Sequence, residues 1–378
     1  MKRPLLVALL LTSSLSLAAC KMDTPSAAPS QAAAATGDLN SRDGLPDAGP
    51  QDTEARPVMQ AQVVLDRLGF TPGVVDGKMG LSTRNAISGY QEANGMPVTG
   101  ELDEVTTKAL SQYQSISATR VVTIPAEFAA GPFVAVPDDA ADQAKLPALG
   151  YESLDEKLAE RFHTTVETLA LLNPQIVPPE ASGAPKASAS PADEKVPTNY
   201  FAAGQQIRVP NVGNDRVDTA QVKDAAWGQT LVMLGVASTQ PRAERIVVSK
   251  SKGTMKVYDS SEKLVAVYTA TMGSKHDPLP IGEWKINGTS YNPKFNYNPD
   301  LFWDAKEGDK KAMLPPGPNG PVGVAWIDLS KPHYGIHGTP NPQTIGRAES
   351  HGCVRLTNWD VARLAQMVHA GTQVLFEA

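Results

Sequence analysis

A multidomain fold is predicted: a small all-α three-helix domain, an α+β module, and a mostly β, β-sandwich-like domain at the C-terminus. Three observations predict it. The 378 residues exceed one ordinary domain of roughly 150 residues. Apolar residues recur at helical spacing in short segments between 57 and 113, and again between 153 and 173. From residue 243 onward, Val-, Ile- and Tyr-rich runs alternate with turns, and only one helix stands out. The 30 Gly and 31 Pro suit linkers and loop-rich β structure better than a helical bundle. A formal charge of −6 with no basic block argues against nucleic acid as a partner.

Residues 1–19 carry the marks of export. Lys2 and Arg3 precede an apolar run from Leu5 to Leu11, too short for a membrane span. Leu17-Ala18-Ala19-Cys20 resembles a bacterial lipobox, which implies cleavage before Cys20 and acylation of its thiol. An ordinary signal peptide cut nearby is the alternative. The lipobox resemblance implies a periplasmic protein held by lipid to a membrane, and Lys21 in place of a retention signal favours the outer one. Residues 20–56 are rich in Ala, Ser, Pro, Gly and Asp and read as a flexible tether. With Cys20 acylated, Cys353 has no intrachain partner. A lone thiol in an oxidising compartment must be buried or used.

Residues 57–114 form the three-helix domain. Ala61, Val64, Leu65 and Leu68 mark the first helix, closed by Gly69. The second starts near Ser82 or Thr83 and carries Ala86, Ile87 and Tyr90, and Asp103 caps a third with Ala109 and Leu110. Leu68-Gly69-Phe70, Pro72-Gly73, Asp76-Gly77, Tyr90-Gln91 and Thr99-Gly100-Glu101-Leu102-Asp103 fall in an order that resembles the peptidoglycan-binding three-helix domain. Residues 115–148 read as a linker with a strand at Val121 to Ile124.

Residues 149–212 hold two further helices. Ser153 with Glu156 forms a capping box for the first, and Thr164 with Glu167 is expected to cap the second, which ends at Asn173-Pro174. After a Pro/Ala/Ser insert at 178–197 comes Gly204-Gln205-Gln206-Ile207-Arg208-Val209-Pro210. The order resembles a LysM glycan-binding module, although the usual Gly-Asp before the first helix is missing. Residues 213–242 read as a second linker.

In residues 243–378, strands are expected at Ile246–Val248, Met255–Tyr258, Val265–Thr271, Trp284–Ile286 and Gln373–Phe376. One helix starts at Asn358 or Asp360 and stops by Gly371. Two segments carry chemistry: Tyr334-Gly335-Ile336-His337-Gly338-Thr339 and Ser350-His351-Gly352-Cys353-Val354-Arg355-Leu356. Cysteine acyl transfer needs a thiolate, a base to make it, and donors for the developing oxyanion. A free thiol, with a pKa of about 8.5, is mostly protonated at neutral pH. A nearby imidazole can take that proton and return it to a departing amine. Gly352 leaves room for a carbonyl to approach the backbone.

Ile-His-Gly-Thr followed by Ser-His-Gly-Cys-Val-Arg-Leu resembles the signature of the L,D-transpeptidase (YkuD-like) catalytic domain. The resemblance implies Cys353 as nucleophile and His337 as general base, with no cofactor and no metal. It implies that His351 and Gly352 supply backbone around the oxyanion, that Arg355 supports the site, and that Gly338 shares this supporting group. It also implies a lid or groove wall from the Pro/Gly-rich stretch 290–322, peptidoglycan stem peptides and glycan as partners, and inhibition by carbapenems. A thiol hydrolase on the same scaffold, acting as a carboxypeptidase or releasing cross-links, and an idle wall-anchoring scaffold are the alternatives. His333-x-x-x-His337 with His351 and Cys353 offers zinc-like ligands, but a strand entering a turn does not present two imidazoles as a helix would. His163, His276, His333 and His369 are expected to be structural or solvent-facing.

Overall fold

Local signals set most of the helices. In the computed structural model, which describes residues 48–50, 52–176, 200–212, 217–303 and 305–378, the first three helices are α1 (Pro57–Arg67), α2 (Leu81–Ala93) and α3 (Glu104–Leu110). The signal peptide, Cys20, most of the tether and the 178–197 insert lie outside the described residues. Asp103 caps α3 by accepting from the Thr106 amide at 2.8 Å. Gly69 ends α1 at φ +87°, a conformation that suits a residue without Cβ. Two buried glutamines stitch the turns together. Gln62 donates to Thr83 and accepts from the Gly77 amide, and Gln91 donates to Thr106 and accepts from the amides of Thr99 and Gly100.

Next come β1 (Thr119–Thr123), α4 (Ala126–Ala129), α5 (Ala140–Gln143), α6 (Leu154–Arg161), α7 (Val166–Leu172) and β2 (Gln206–Pro210). β1 and β2 pair antiparallel, from Thr119 opposite Pro210 to Thr123 opposite Gln206. The stretch expected as a linker therefore contributes a strand to the α+β module. Ser153 caps α6 as expected, accepting from the Glu156 amide at 3.1 Å. The cap of α7 is Thr165, not Thr164. Thr164 is turned inward, donating to the Val75 carbonyl at 2.6 Å. A helix also occupies the second expected linker, α8 (Ala225–Leu234), capped by Asp224 and closed by Gly235 in the left-handed region. Its Gly228 and nearly uniform apolarity hide it from a search for amphipathic spacing.

The C-terminal part is a mixed sheet of β3 (Arg245–Ser249), β4 (Thr254–Tyr258), β5 (Leu264–Thr269), β6 (Thr271–Met272) and β7 (Gly282–Tyr291). It continues past the short pair β8 (Phe295–Tyr297) and β9 (Ala312–Leu314) with β10 (Ala325–Leu329), β11 (Gly335–His337), β12 (Val354–Arg355), the helix α9 (Asn358–Met367) and β13 (Gln373–Glu377). The order is β5-β4-β3-β13-β7-β10-β11-β12-β6. A β-sandwich-like arrangement was the expectation; the domain is mostly β, with one continuous sheet whose halves share β7. The first part of β7 pairs with β13 and the rest with β10. Apolar residues of both halves meet α9 in one core, including Ile246, Val257, Ile327, Ile336 and Trp359.

The helical region covers the outer edge of this sheet. All six residues of β5 are buried, because Gly69 and Thr71 bond to Val267 along it and α2 lies against it. Gly89 permits that approach: a Cβ there would sit 2.6 Å from Val267 Cγ2. Leu264 and Val267 join the helical core, while Val265, Ala266 and Tyr268 join the core between the sheet and α9. At the opposite contact, Asp66 of α1 accepts two hydrogen bonds from Arg363 of α9, both at 2.9 Å. His163 bonds Asp66 at 3.3 Å, donates to the Leu234 carbonyl at 2.9 Å and stacks on Trp359. Glu160 accepts from Asn358 at 2.7 Å and from Tyr151 at 2.6 Å.

Candidate active site

The two motif segments lie side by side. β11 and β12 pair in parallel, with Ile336 opposite Val354 and His337 opposite Arg355. Ile336 and Val354 are fully buried in the core. Alternation along a strand therefore turns His337 and Arg355 to the other face, and Cys353, two residues before Arg355, shares it. His337 is held on that face by Trp326 directly opposite on β10, their rings stacked at 5.5 Å.

His337 Nδ1 lies 2.7 Å from the Gly338 carbonyl oxygen. A carbonyl only accepts, so Nδ1 carries the hydrogen and Nε2 keeps its lone pair for an incoming proton. Burial and the Arg355 charge pull the imidazole pKa down to about 4, against the Gly338 bond, so the ring is neutral at neutral pH. Burial pushes the Cys353 thiol up, opposed by a hydrogen bond from the Gly335 amide and by Arg355. The thiol donates to the His333 carbonyl at 3.8 Å. At neutral pH the two groups are thus a thiol and a neutral imidazole.

Ser350 fixes the turn before the cysteine. Its hydroxyl donates to the Cys353 carbonyl at 2.6 Å and accepts from the Gly273 amide at 2.6 Å. Gly352 has φ +96°, and a Cβ there would meet the Tyr334 ring at 2.6 Å. Gly352→Ala is expected to cost about 1–3 kcal/mol of stability from strain and to slow iodoacetamide labelling of Cys353 at least tenfold; thermal melts and labelling kinetics check both.

Gly338 is not available as an oxyanion donor, since its amide bonds the Val322 carbonyl at 3.1 Å. Its contribution is the carbonyl that orients His337, and a Cβ would clash with Asn358. The His351 side chain packs beside Phe302 and Trp303, with ring centroids at 5.0 and 5.6 Å. Trp303 also stacks on His276 at 4.5 Å, while remaining 54% exposed. Phe302 and Trp303 thereby bring part of the 290–322 stretch against His351, in the loop that carries Cys353. Arg355 donates to the Glu349 carbonyl at 3.4 Å. His163 is buried and hydrogen-bonded, as a structural histidine should be. Tyr334, packed on Gly352, and the His333 carbonyl were not singled out from sequence. The positive φ of His333, +69°, has no sequence signal of its own.

Residues 243–375 match the family described as YkuD, the L,D-transpeptidase catalytic domain. Residues 54–110 match the family described as a peptidoglycan binding domain. The chain is 35% identical over 147 residues to the Bacillus licheniformis protein named as the L,D-transpeptidase YkuD, covering 39% of this chain and 73% of that protein. It is 33% identical over 147 residues to the Bacillus subtilis YkuD, covering 39% and 74%. Likeness to the Escherichia coli protein named as the L,D-transpeptidase YbiS is 30% over 195 residues, covering 49% and 61%. With nearly three quarters of such a relative covered at this identity, the chain belongs to the YkuD family of L,D-transpeptidases.

Proposed function

We propose that Cys353 is the acyl carrier of a peptidoglycan L,D-transpeptidase and that His337 is its base. The observation that carries this reading is the pairing of β11 with β12, from which one face receives both side chains. A turn of the Cys353 side chain from the His333 carbonyl toward Nε2 starts the reaction. Nε2 takes the thiol proton as sulfur attacks the carbonyl of the L-centred residue before a terminal D-alanine of a stem tetrapeptide. Collapse of the tetrahedral adduct breaks the C–N bond, Nε2 returns the proton to the amine of D-alanine, and a thioester remains. An acceptor amine then loses its proton to Nε2, attacks the thioester and expels sulfur, which recovers the proton. Amides around Gly352 and Cys353 are the oxyanion donors in this reading, Arg355 biases both groups by its charge, and His351 anchors the loop through its ring contacts.

The protein is exported and works at the cell wall, with peptidoglycan as substrate. Lipid attachment at Cys20 is the finer proposal and rests on the Leu-Ala-Ala-Cys motif. A glycan-binding role for the LysM-like module is supported by β1 and β2, which bracket α6 and α7. The likeness to YbiS, over 195 residues, also extends beyond the catalytic region. Mass spectrometry of digested sacculi incubated with the full chain tests the reaction. New cross-linked dimers are expected. Trimmed monomers alone would mean that water resolves the thioester, and unchanged sacculi would point to an idle scaffold.

A further inference from the structure

The His337 imidazole is oriented from behind, and the backbone that orients it is held in turn by a second module. The Gly338 carbonyl, which takes the Nδ1 hydrogen at 2.7 Å, belongs to a turn packed on Gly323. A Cβ on Gly323 would lie 2.9 Å from the Gly338 carbonyl carbon. The Asn358 carboxamide is wedged against both glycines, and a Cβ on either would run into its Oδ1. Where that carboxamide lies therefore decides where the Gly338 carbonyl can lie.

Asn358 is fully buried, and its surroundings fix its orientation. Oδ1 accepts from the Val324 amide at 3.3 Å, while Nδ2 donates to the Pro318 carbonyl at 3.1 Å and to Glu160 Oε1 at 2.7 Å. Both hydrogens of the amide nitrogen are thus used, and a flipped carboxamide would set its oxygen against two acceptors. Glu160 lies on α6, outside the residues 243–375 that match the catalytic family. Its other oxygen accepts from Tyr151 at 2.6 Å, which fixes the carboxyl group. The same module grips the backbone next to Pro318: the Leu149 amide donates to the Pro316 carbonyl at 2.9 Å, and the Leu149 carbonyl accepts from the Asn319 amide at 3.0 Å. A side chain only 7% exposed, with both oxygens bonded inside the protein, does not meet a stem peptide.

We propose that Glu160 is a positioning residue for the base: through Asn358 it holds the Gly338 carbonyl on His337 Nδ1 and so keeps Nε2 free to take the Cys353 proton. The proposal rests on the reading of His337 as base given above and adds that the α+β module sets the state of that base. Without Glu160, one Nδ2 hydrogen is left buried without an acceptor. The carboxamide turns to find one, and the Gly338 carbonyl shifts with it. The ring is then released into the tautomer with its hydrogen on Nε2, which has no lone pair there for the thiol proton.

The test uses the full chain and three single variants. Glu160→Leu removes the acceptor, Glu160→Gln keeps an oxygen for Asn358, and Tyr151→Phe frees the other carboxylate oxygen. D-alanine release from a stem tetrapeptide gives kcat and KM. Nitrogen NMR of the histidine side chains reads the His337 tautomer, with His337→Gln identifying its signals. Glu160→Leu is expected to lower kcat about 10- to 100-fold, the scale of a small misplacement at a reacting group, with KM unchanged and an Nε2–H form appearing at His337. Glu160→Gln should recover most of that loss and keep the Nδ1–H form. Wild-type kcat in Glu160→Leu overturns the proposal. So does a raised KM in place of a lowered kcat, a loss of kcat with the tautomer unchanged, or a loss that Glu160→Gln shares in full. Should Glu160→Leu fail to fold, Tyr151→Phe decides: a several-fold lower kcat with mixed tautomers supports the relay, and wild-type values overturn it. The tautomer is read without substrate. Wild-type protein that released no D-alanine would therefore sink the peptidoglycan reading alone, and the imidazole signals would still decide the positioning role.

Discussion

Cys353→Ala should reduce stem-peptide turnover to background, and His337→Gln should lower it by about 10²- to 10⁴-fold, the range for loss of a general base. The two variants are expected to differ in mechanism. Without Cys353 no thioester can form. Without the imidazole the thiol is still present, but burial holds its pKa above the ordinary value and leaves little thiolate at neutral pH. Activity of His337→Gln should therefore climb with pH through the alkaline range. The wild-type acid limb should fall well below the ordinary imidazole value, because His337 stays unprotonated down to about pH 4. The same shift bears on stability. His337 has a folded pKa below its unfolded value of 6.5, so its contribution is complete above pH 6.5 and is lost as pH falls toward about 4. Profiles of kcat/KM for D-alanine release decide the matter. An acid limb near pH 6.5, or a His337→Gln variant with wild-type rates, would contradict the assignment of the base.

Arg363→Ala should destabilise the protein by about 3–5 kcal/mol, the range for breaking a buried ion pair by removing one partner. Arg363 is 5% exposed and Asp66 1%, and their two-bond contact joins α9 of the sheet domain to α1 of the peptidoglycan-binding domain. The pairing with Arg363 and the bond from His163 overcome the desolvation of Asp66 and hold its carboxyl well below the usual range. In the wild type, that contribution is present above the unfolded carboxylate value of 3.8 and is lost as pH falls through the lower folded one. In the variant the carboxylate is left buried without its guanidinium, and protonation relieves it. The gap in melting temperature between wild type and variant should thus narrow on acidification. Calorimetry across pH checks this, and a loss under about 1 kcal/mol would mean the contact is no more than a surface pair. Burial raises two neighbours in the opposite sense, Glu160 to about 7 and Asp360 to about 6. Their contribution is complete below the unfolded carboxylate values and is lost as pH rises through 6 to 7.

What could be read from the sequence was whatever depends on neighbours along the chain. Caps at Asp103 and Ser153, the stop at Gly69 and the strands at Ile246 and Met255 follow from side chains that bond or bury within a few residues of their own backbone. The Ser350–Leu356 motif was legible for the same reason, being one tight turn feeding a strand. Other features depend on partners far away in sequence. Thr165 caps α7 because Val75, 89 positions from Thr164, takes the Thr164 hydroxyl. β1 became a strand only through pairing with β2 across the intervening helices. The Gly338 amide is taken by Val322, and the neutral state of His337 follows from burial beside Arg355. Desolvation and long-range hydrogen bonding are properties of packed surroundings, so the joining of Asp66 to Arg363, and of Glu160 to Asn358, was decided by tertiary structure alone.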